Sequence, residues 1–247
     1  MFNRERANAP GDRPHAPHAP NDRRRLHGSI AHKIGVGIVG GQYAPGEILP
    51  NEDDFSEKLD VSRTAYREAI RILAAKGLVE SRPKIGTRIR PRTDWNFLDA
   101  DVLAWLLAAE ASPSFVAALY EVRDMVEPRA AELAAQRRTA TDLANMTSAL
   151  AVMRRERLSN VAGQQADLDF HHAILLAAHN EPLVSMSPAI GMTIQWSNQF
   201  KGARGQLDQD AFQEHWDVYE AIEKQDGPRA REAMAALIAR AQPDTVG

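Results

Sequence analysis

From about residue 100 onward the apolar residues recur at helical spacing and no stretch alternates as a strand does, which confines most of this chain to an all-α bundle. Helices are expected at roughly 100–109, 113–137, 141–158, 161–178, 181–200, 208–225 and 228–241. Ser112-Pro113, Thr141-Asp142, Glu181-Pro182 and Gly227-Pro228 stand at four of the starts, where a capping side chain is useful and a proline without an N–H does least harm.

The first hundred residues are organised differently. Residues 1–22 hold Pro10, Pro14, Pro17 and Pro20 and almost no large apolar side chain, so a disordered tail is expected there. His15 and His18 lie in it, spaced by proline and without a fixed geometry for a metal. From Leu26 the residues Ile30, Ile34, Ile38 and Val39 mark a helix that Gly40-Gly41 ends. Pro45-Gly46 makes a turn, Glu52 to Lys58 a short helix, and Asp60-Val61-Ser62 separates it from a third helix, Arg63 to Lys76, with Ser62 as its N-cap. Gly77 stops that helix, and two extended runs, Leu78 to Ser81 and Thr87 to Arg90, flank Pro83-Lys84-Ile85-Gly86. Three helices and a hairpin predict a winged helix-turn-helix over 23–92. Residues 93–99 then join it to an all-helical domain over 100–241, so the fold class is mainly α.

Charge divides along the same line. Residues 21–92 carry 14 Lys and Arg against 9 Asp and Glu, a balance of +5, whereas residues 93–247 carry 13 against 22, a balance of −9. The basic part suits a polyanion and the acidic part another partner. No apolar run approaches the roughly 18 residues a membrane helix needs, and the N-terminal region lacks the apolar core of a secretory signal. With no cysteine, disulfides, thiolate zinc sites and cysteine nucleophiles are excluded. A cytoplasmic protein is expected.

On the third helix Arg63, Arg67 and Arg71 repeat every four residues and share one face, while Tyr66, Ala69, Ile70 and Leu73 form the packing face beside it. The three arginines are expected to face mostly one another, with Glu68 as a single acid nearby. Such a helix, with Thr64 in its first turn, places arginines where they read guanine or clamp phosphate in a major groove. The wing adds Arg82, Lys84, Arg88 and Arg90 for the backbone. Pro45-Gly46-Glu47-Ile48-Leu49-Pro50, Val61-Ser62-Arg63-Thr64, Tyr66-Arg67-Glu68-Ala69, Leu73, Gly77-Leu78-Val79 and Gly86-Thr87 resemble the DNA-binding domain of GntR-type transcription regulators. The acidic bundle resembles the FCD effector domain of the FadR subfamily through Leu119 to Arg123, Asp167, Phe170-His171, His179-Asn180 and Glu214-His215. Asp53 stands where many relatives have Arg, and Lys84-Ile85 where Gly is common. The resemblance implies a homodimer on a palindromic double-stranded operator, released by a small metabolite held in the bundle.

Asp167 and His171, four residues apart, share a face with Ile174, Leu175 and Ala178; His215 aligns with Val218, Tyr219 and Ile222, and Arg123 with Leu119, Val126 and Ala130. Four polar groups are thereby aimed at one core, where burial unpaired would cost several kcal/mol each. They satisfy one another, or they hold a metal, an anion or both. Two imidazoles and a carboxylate suit a Zn-like divalent ion with open positions. The resemblance implies the same set, with a further His expected where this chain has Leu237. Arg123 fits a ligand carboxylate, or pairs internally with Asp167 or Glu127. Trp196, with Gln195, Asn198 and Gln199, would offer a sugar a stacking platform and amides. The segment Asp94 to Asp99, followed by Asp101 to Trp105, resembles repressors of galactonate catabolism, which implies an aldonic or related sugar acid as effector. Two alternatives stand beside this one. Two His and a carboxylate also form the facial triad of a metalloenzyme, and a metal-free bundle could sense an acyl thioester.

Overall fold

A computed structural model describes residues 20–59, 61–203 and 211–242. The tail expected at 1–22 lies outside these residues except for 20–22, which open the first helix. Helix α1 (Pro20–Val39) is followed by α2 (Glu52–Leu59) and α3 (Arg63–Ala75). Ser62 caps α3, its Oγ accepting the Ala65 N–H at 3.2 Å. Strands β1 (Val79–Arg82) and β2 (Gly86–Ile89) pair antiparallel, Val79 opposite Ile89 and Arg82 opposite Gly86. Residues 47–49 lie along the free edge of β2, with the Leu49 N–H on the Thr87 carbonyl and the Ile89 N–H on that of Glu47. These elements close around one apolar core. Ile30, Ile34 and Ile38 of α1 meet Tyr66, Ala69 and Leu73 of α3, with Leu78 and Ile89 from the hairpin.

Beyond a short 3-10 turn at Arg92–Asp94 the chain is helical among the described residues: α4 (Ala100–Ala108), α5 (Pro113–Arg137), α6 (Ala140–Glu156), α7 (Val161–Ala177), α8 (Glu181–Val184), α9 (Ser187–Ala203), α10 (Ala211–Glu223) and α11 (Gly227–Ala241). The single helix expected at 181–200 is thus two. Pro188 has no N–H to offer the Val184 carbonyl, and the Ser187 hydroxyl donates to that carbonyl instead at 2.7 Å. The helical ladder therefore breaks there and restarts. The bundle core gathers Tyr120, Leu150, Phe170, Ile174, Val218, Ile222 and Met234 from α5, α6, α7, α10 and α11.

Helix α4 packs on both modules, joining the winged-helix core on one side and a small cluster with α5 and α9 on the other. Val102, Trp105 and Leu106 are buried with the winged helix, whereas Leu103 packs with Leu119 of α5 and Ala189 of α9. Gly35 of α1 makes room for the Trp105 indole, whose Cε3 lies 2.3 Å from where a Cβ would stand. Asp99 caps α4 by accepting the Asp101 and Val102 N–H groups at 3.0 and 3.3 Å, and it also takes the Lys76 ammonium, just past the end of α3, at 2.7 Å. Burial alone would raise the Asp99 carboxyl. The Lys76 ammonium and the two N–H groups outweigh it and hold the carboxyl below its ordinary value. The group thus contributes stability that is present above the unfolded carboxylate value near 3.9, and lost as pH falls through the lower folded value. Asp99→Ala is expected to cost about 1–2 kcal/mol at neutral pH. In urea titrations the gap from the wild type narrows in acid; a gap independent of pH would remove the charge from the account.

Candidate functional site

Two places concentrate charged side chains with chemistry. The first is the outer face of α3. Its inner face, Ala65, Tyr66, Ala69, Ile70 and Leu73, is buried, and the Tyr66 hydroxyl donates to the Pro50 carbonyl at 3.2 Å. Burial, then the charge of Glu52, pushes that phenol up to about 12, so it remains a donor at any working pH. Arg63, Thr64, Arg67 and Arg71 are exposed on the other side. The arginines do not simply face one another, as the four-residue spacing led one to expect. Arg63 pairs with Asp53 at 2.8 Å, Arg67 with Glu52 at 2.9 Å and Arg71 with Glu68 at 3.1 Å. Glu52 and Asp53 sit in the first turn of α2, where the helix dipole favours acids. The tertiary fold brings that turn against α3, which spacing within one helix does not reveal.

In the wing, Lys84 is exposed at the turn with φ 65°, and Ile85 beside it is 52% exposed. Arg88 is also exposed, and its Nε donates to the Gly46 carbonyl at 3.1 Å. That bond ties the wing to the loop before α2.

The second place is inside the bundle, where α5 contributes Arg123 and Glu127, α7 Asp167 and His171, α9 Asn198, and α10 His215. All six are buried, Arg123 and Glu127 at only 1% exposure. Asp167 Oδ1 lies 2.9 Å from His215 Nε2 and 3.5 Å from His171 Nε2, while Asp167 Oδ2 accepts the Asn198 amide at 3.1 Å. Phe170 stands edge-on to both imidazoles and walls them from the core. Among the described residues, Asp167, His171 and His215 offer ligand atoms that all lie within 4.8 Å of one another. Burial raises the Asp167 carboxyl on its own. The hydrogen bond and charge of His215, with help from His171 and Asn198, reverse this and hold it well below the usual carboxylate range.

Arg123 takes the internal option as well as facing the cavity. Its Nε donates to Glu127 Oε1 at 2.5 Å, and the other Glu127 oxygen bonds His171 Nδ1. Burial by itself raises Glu127, but the Arg123 guanidinium and then the His171 ring hold it at about 2. The residue missed by sequence reasoning is therefore Glu127 as the partner of His171. Its four-residue offset from Arg123 was visible, but contact with α7 is a matter of tertiary packing.

A cavity of about 50 Å³ is lined by Arg123, Asp167, His171, Asn198, His215 and Leu237, among others. Leu237 of α11 puts a methyl-bearing wall where a fourth nitrogen ligand was expected. Toward the surface, Arg240 and Glu214 join the lining and pair at 2.6 Å. Trp196 is only half-buried and stacks on Phe200 at 4.9 Å, and Gln195 and Gln199 are exposed. Of the residues expected to form a sugar platform on α9, only Asn198 lies among the cavity's lining. The inward stripe of α9 runs through Ile194, Ser197 and Asn198, one helical step away from Trp196.

A basic winged helix-turn-helix joined to a helical bundle with a polar cavity defines a ligand-responsive transcription regulator, and the chain belongs to the GntR family of bacterial regulatory proteins. Residues 26–89 match that family and residues 118–240 match the FCD domain. Over 212 residues it is 38% identical to the galactonate operon transcriptional repressor of Escherichia coli strain K12, spanning 85% of this chain and 92% of that repressor. It is 32% identical over 210 residues to the Uxu operon transcriptional regulator of the same organism, spanning 80% of this chain and 77% of the relative. Against the regulator LutR of Bacillus subtilis the identity is 31% over 204 residues, spanning 81% and 91%. A solved structure of Lar, which controls the agr system of Listeria monocytogenes, shares the fold at TM-score 0.61 and 20% identity, covering 87% of this chain and 94% of that one. The family places the chain among regulators rather than enzymes, and no described helix is long and apolar enough to cross a membrane.

Proposed function

We propose that the chain is a homodimeric repressor of a sugar-acid catabolic operon, working in the cytoplasm and released from a palindromic operator by an aldonate such as galactonate or a close relative. Residues 23–92 read the duplex, 100–241 sense the acid and dimerise, and 93–99 join the two. Arg63, Thr64, Arg67 and Arg71 enter the major groove, with Lys84 and Arg88 on the flanking phosphates. The galactonate operon repressor of Escherichia coli supports the choice of acid.

The observation that carries the sensing half is the convergence of Asp167, His171 and His215 on a cavity that Arg123 also lines. The donor set fits a Zn-like divalent ion, since two imidazoles and a carboxylate are borderline ligands and Leu237 leaves positions for the oxygens of an acid. Such an ion would supply a Lewis-acid site for carboxylate and hydroxyl oxygens. Arg123 has spent Nε on Glu127, and its two Nη groups are the fork that takes a carboxylate. Asn198 holds Asp167 by its second oxygen, and Leu237 with Ile194 excludes water from one side. An acid shifts the operator equilibrium only as far as it prefers one arrangement of the two modules, and α4, packed on the winged-helix core and on α5 and α9 of the bundle, connects them.

Fluorescence anisotropy of the full chain on its own promoter DNA, with a panel of aldonates, uronates and acyl thioesters, tests the reading. At least one aldonate is expected to weaken DNA binding about tenfold or more, a coupling of the ordinary size, and a chelator should abolish that response. Release by an acyl thioester with no metal requirement would put the metal-free sensor in its place. Turnover of a sugar acid without DNA binding would favour the metalloenzyme.

A further inference from the structure

An imidazole offers a ligand only the nitrogen that carries no proton, and the hydrogen bond on the other nitrogen decides which one that is. In His171 the Nδ1 atom is bonded to a Glu127 oxygen, while Nε2 is turned toward Asp167 Oδ1 and the cavity. Arg123 Nε at 2.5 Å fixes the opposite oxygen of the same carboxylate. Both members of that pair come from α5, four residues apart, and both are buried. The carboxylate is thus held at one oxygen and aimed with the other, across the bundle from the helix that carries the ligand.

We propose that Glu127 is a positioning residue of the bundle site, accepting the His171 Nδ1 proton so that Nε2 presents its lone pair to a divalent cation shared with Asp167 and His215. Arg123 aims Glu127, and so acts on the cation site through it as well as lining the cavity. A carboxylate in this place strengthens the ring as a donor and prevents it from turning. His215 has no such call on Glu127; its Nε2 meets Asp167 directly. This proposal rests on the cation reading above and adds a residue to it.

The test uses the full chain, with Co²⁺ as the probe followed by its absorption bands, and with the histidine ring nitrogens followed by NMR in the absence of metal. Glu127→Gln removes the carboxylate paired with Arg123, so Arg123→Met/Glu127→Gln is measured beside it, and thermal melts identify which variants fold. Wild type is expected to take one Co²⁺ per chain and to hold His171 as the Nδ1–H tautomer. In the folded variants Co²⁺ binding weakens about 10- to 100-fold, the bands shift, and the Nδ1–H tautomer is lost or mixed. Unchanged affinity and bands in a folded variant overturn the proposal. So does an Nε2–H ring in the wild type, a measurement that needs no variant. If the wild type takes no Co²⁺ at all, the cation reading fails and this proposal with it; if it takes Co²⁺ and loses it with His171→Ala while Glu127 proves indifferent, only the positioning role fails.

Discussion

Alanine at Arg63 and Arg67 together is expected to lower operator affinity by about 30-fold to 10⁴-fold, since each arginine contributes about 1–3 kcal/mol as a base or phosphate contact. The fold should survive the change. Both side chains are about 70% exposed and pair with Asp53 and Glu52 across α2 and α3, and exposed ion pairs of this kind contribute about 0–1 kcal/mol. A thermal midpoint near that of wild type together with an unchanged affinity would take α3 out of the groove. Salt separates the two kinds of contact. If both arginines clamp phosphate, the slope of log affinity against log salt falls by about two; if they read guanine, the slope holds and discrimination among operators relaxes. Lysine at both positions keeps the charge but not the planar fork, so it rescues the first kind of contact better than the second. The acids across the helix pair give the opposite check. Asp53→Asn frees Arg63 and should raise affinity for any duplex at low salt, because phosphate no longer competes with an internal carboxylate.

Local features of this fold were legible because local chemistry sets them. The Ser62 cap, the stop at Gly77 and the apolar stripe Tyr66, Ala69, Ile70 and Leu73 depend on neighbours within a turn or two, and the hairpin came within one residue of its place. What was hidden depends on contacts between distant segments. The break between α8 and α9 needs the Ser187 hydroxyl to capture the Val184 carbonyl, an outcome that proline at position 188 permits but does not announce. Residues 47–49 lie along β2 through backbone bonds that carry no alternating pattern. The site divides the same way. Asp167 and His171 could be seen to point inward because they share a face with Ile174, whereas the alignment of Glu127 on α5 with His171 on α7 follows from how two helices pack. Trp196 and Asn198 are two residues apart, and a helix phase fixed only by packing decided which of them met the cavity.

Gly163→Ala is expected to destabilise the bundle by about 3 kcal/mol, an overpacking effect at the upper end of the usual range. Gly163 lies in the first turn of α7, and a Cβ there would stand 1.8 Å from the Arg157 carbonyl oxygen and 2.5 Å from its carbon. The obstacle is backbone, so no rotamer change relieves it. Residues 157–160 form the tight link between α6 and α7, with the Asn160 N–H on that same Arg157 carbonyl at 3.2 Å and the Asn160 side chain capping α7. Making room means moving the link, and with it the packing of α6 on the helix that carries Asp167 and His171. For a chain of this size the loss corresponds to a fall of about 6–12 °C in the thermal midpoint. Gly191→Ala is the matched control. Its Cβ would meet Leu168 Cδ2 at an ordinary 3.7 Å, so the gain from replacing glycine inside a helix, about 0.5–1 kcal/mol, should raise the midpoint instead. Opposite signs at two glycines in neighbouring helices locate the effect in the Arg157 carbonyl. If both variants moved the midpoint alike, the close approach of α6 and α7 would not be what holds the site helix in place.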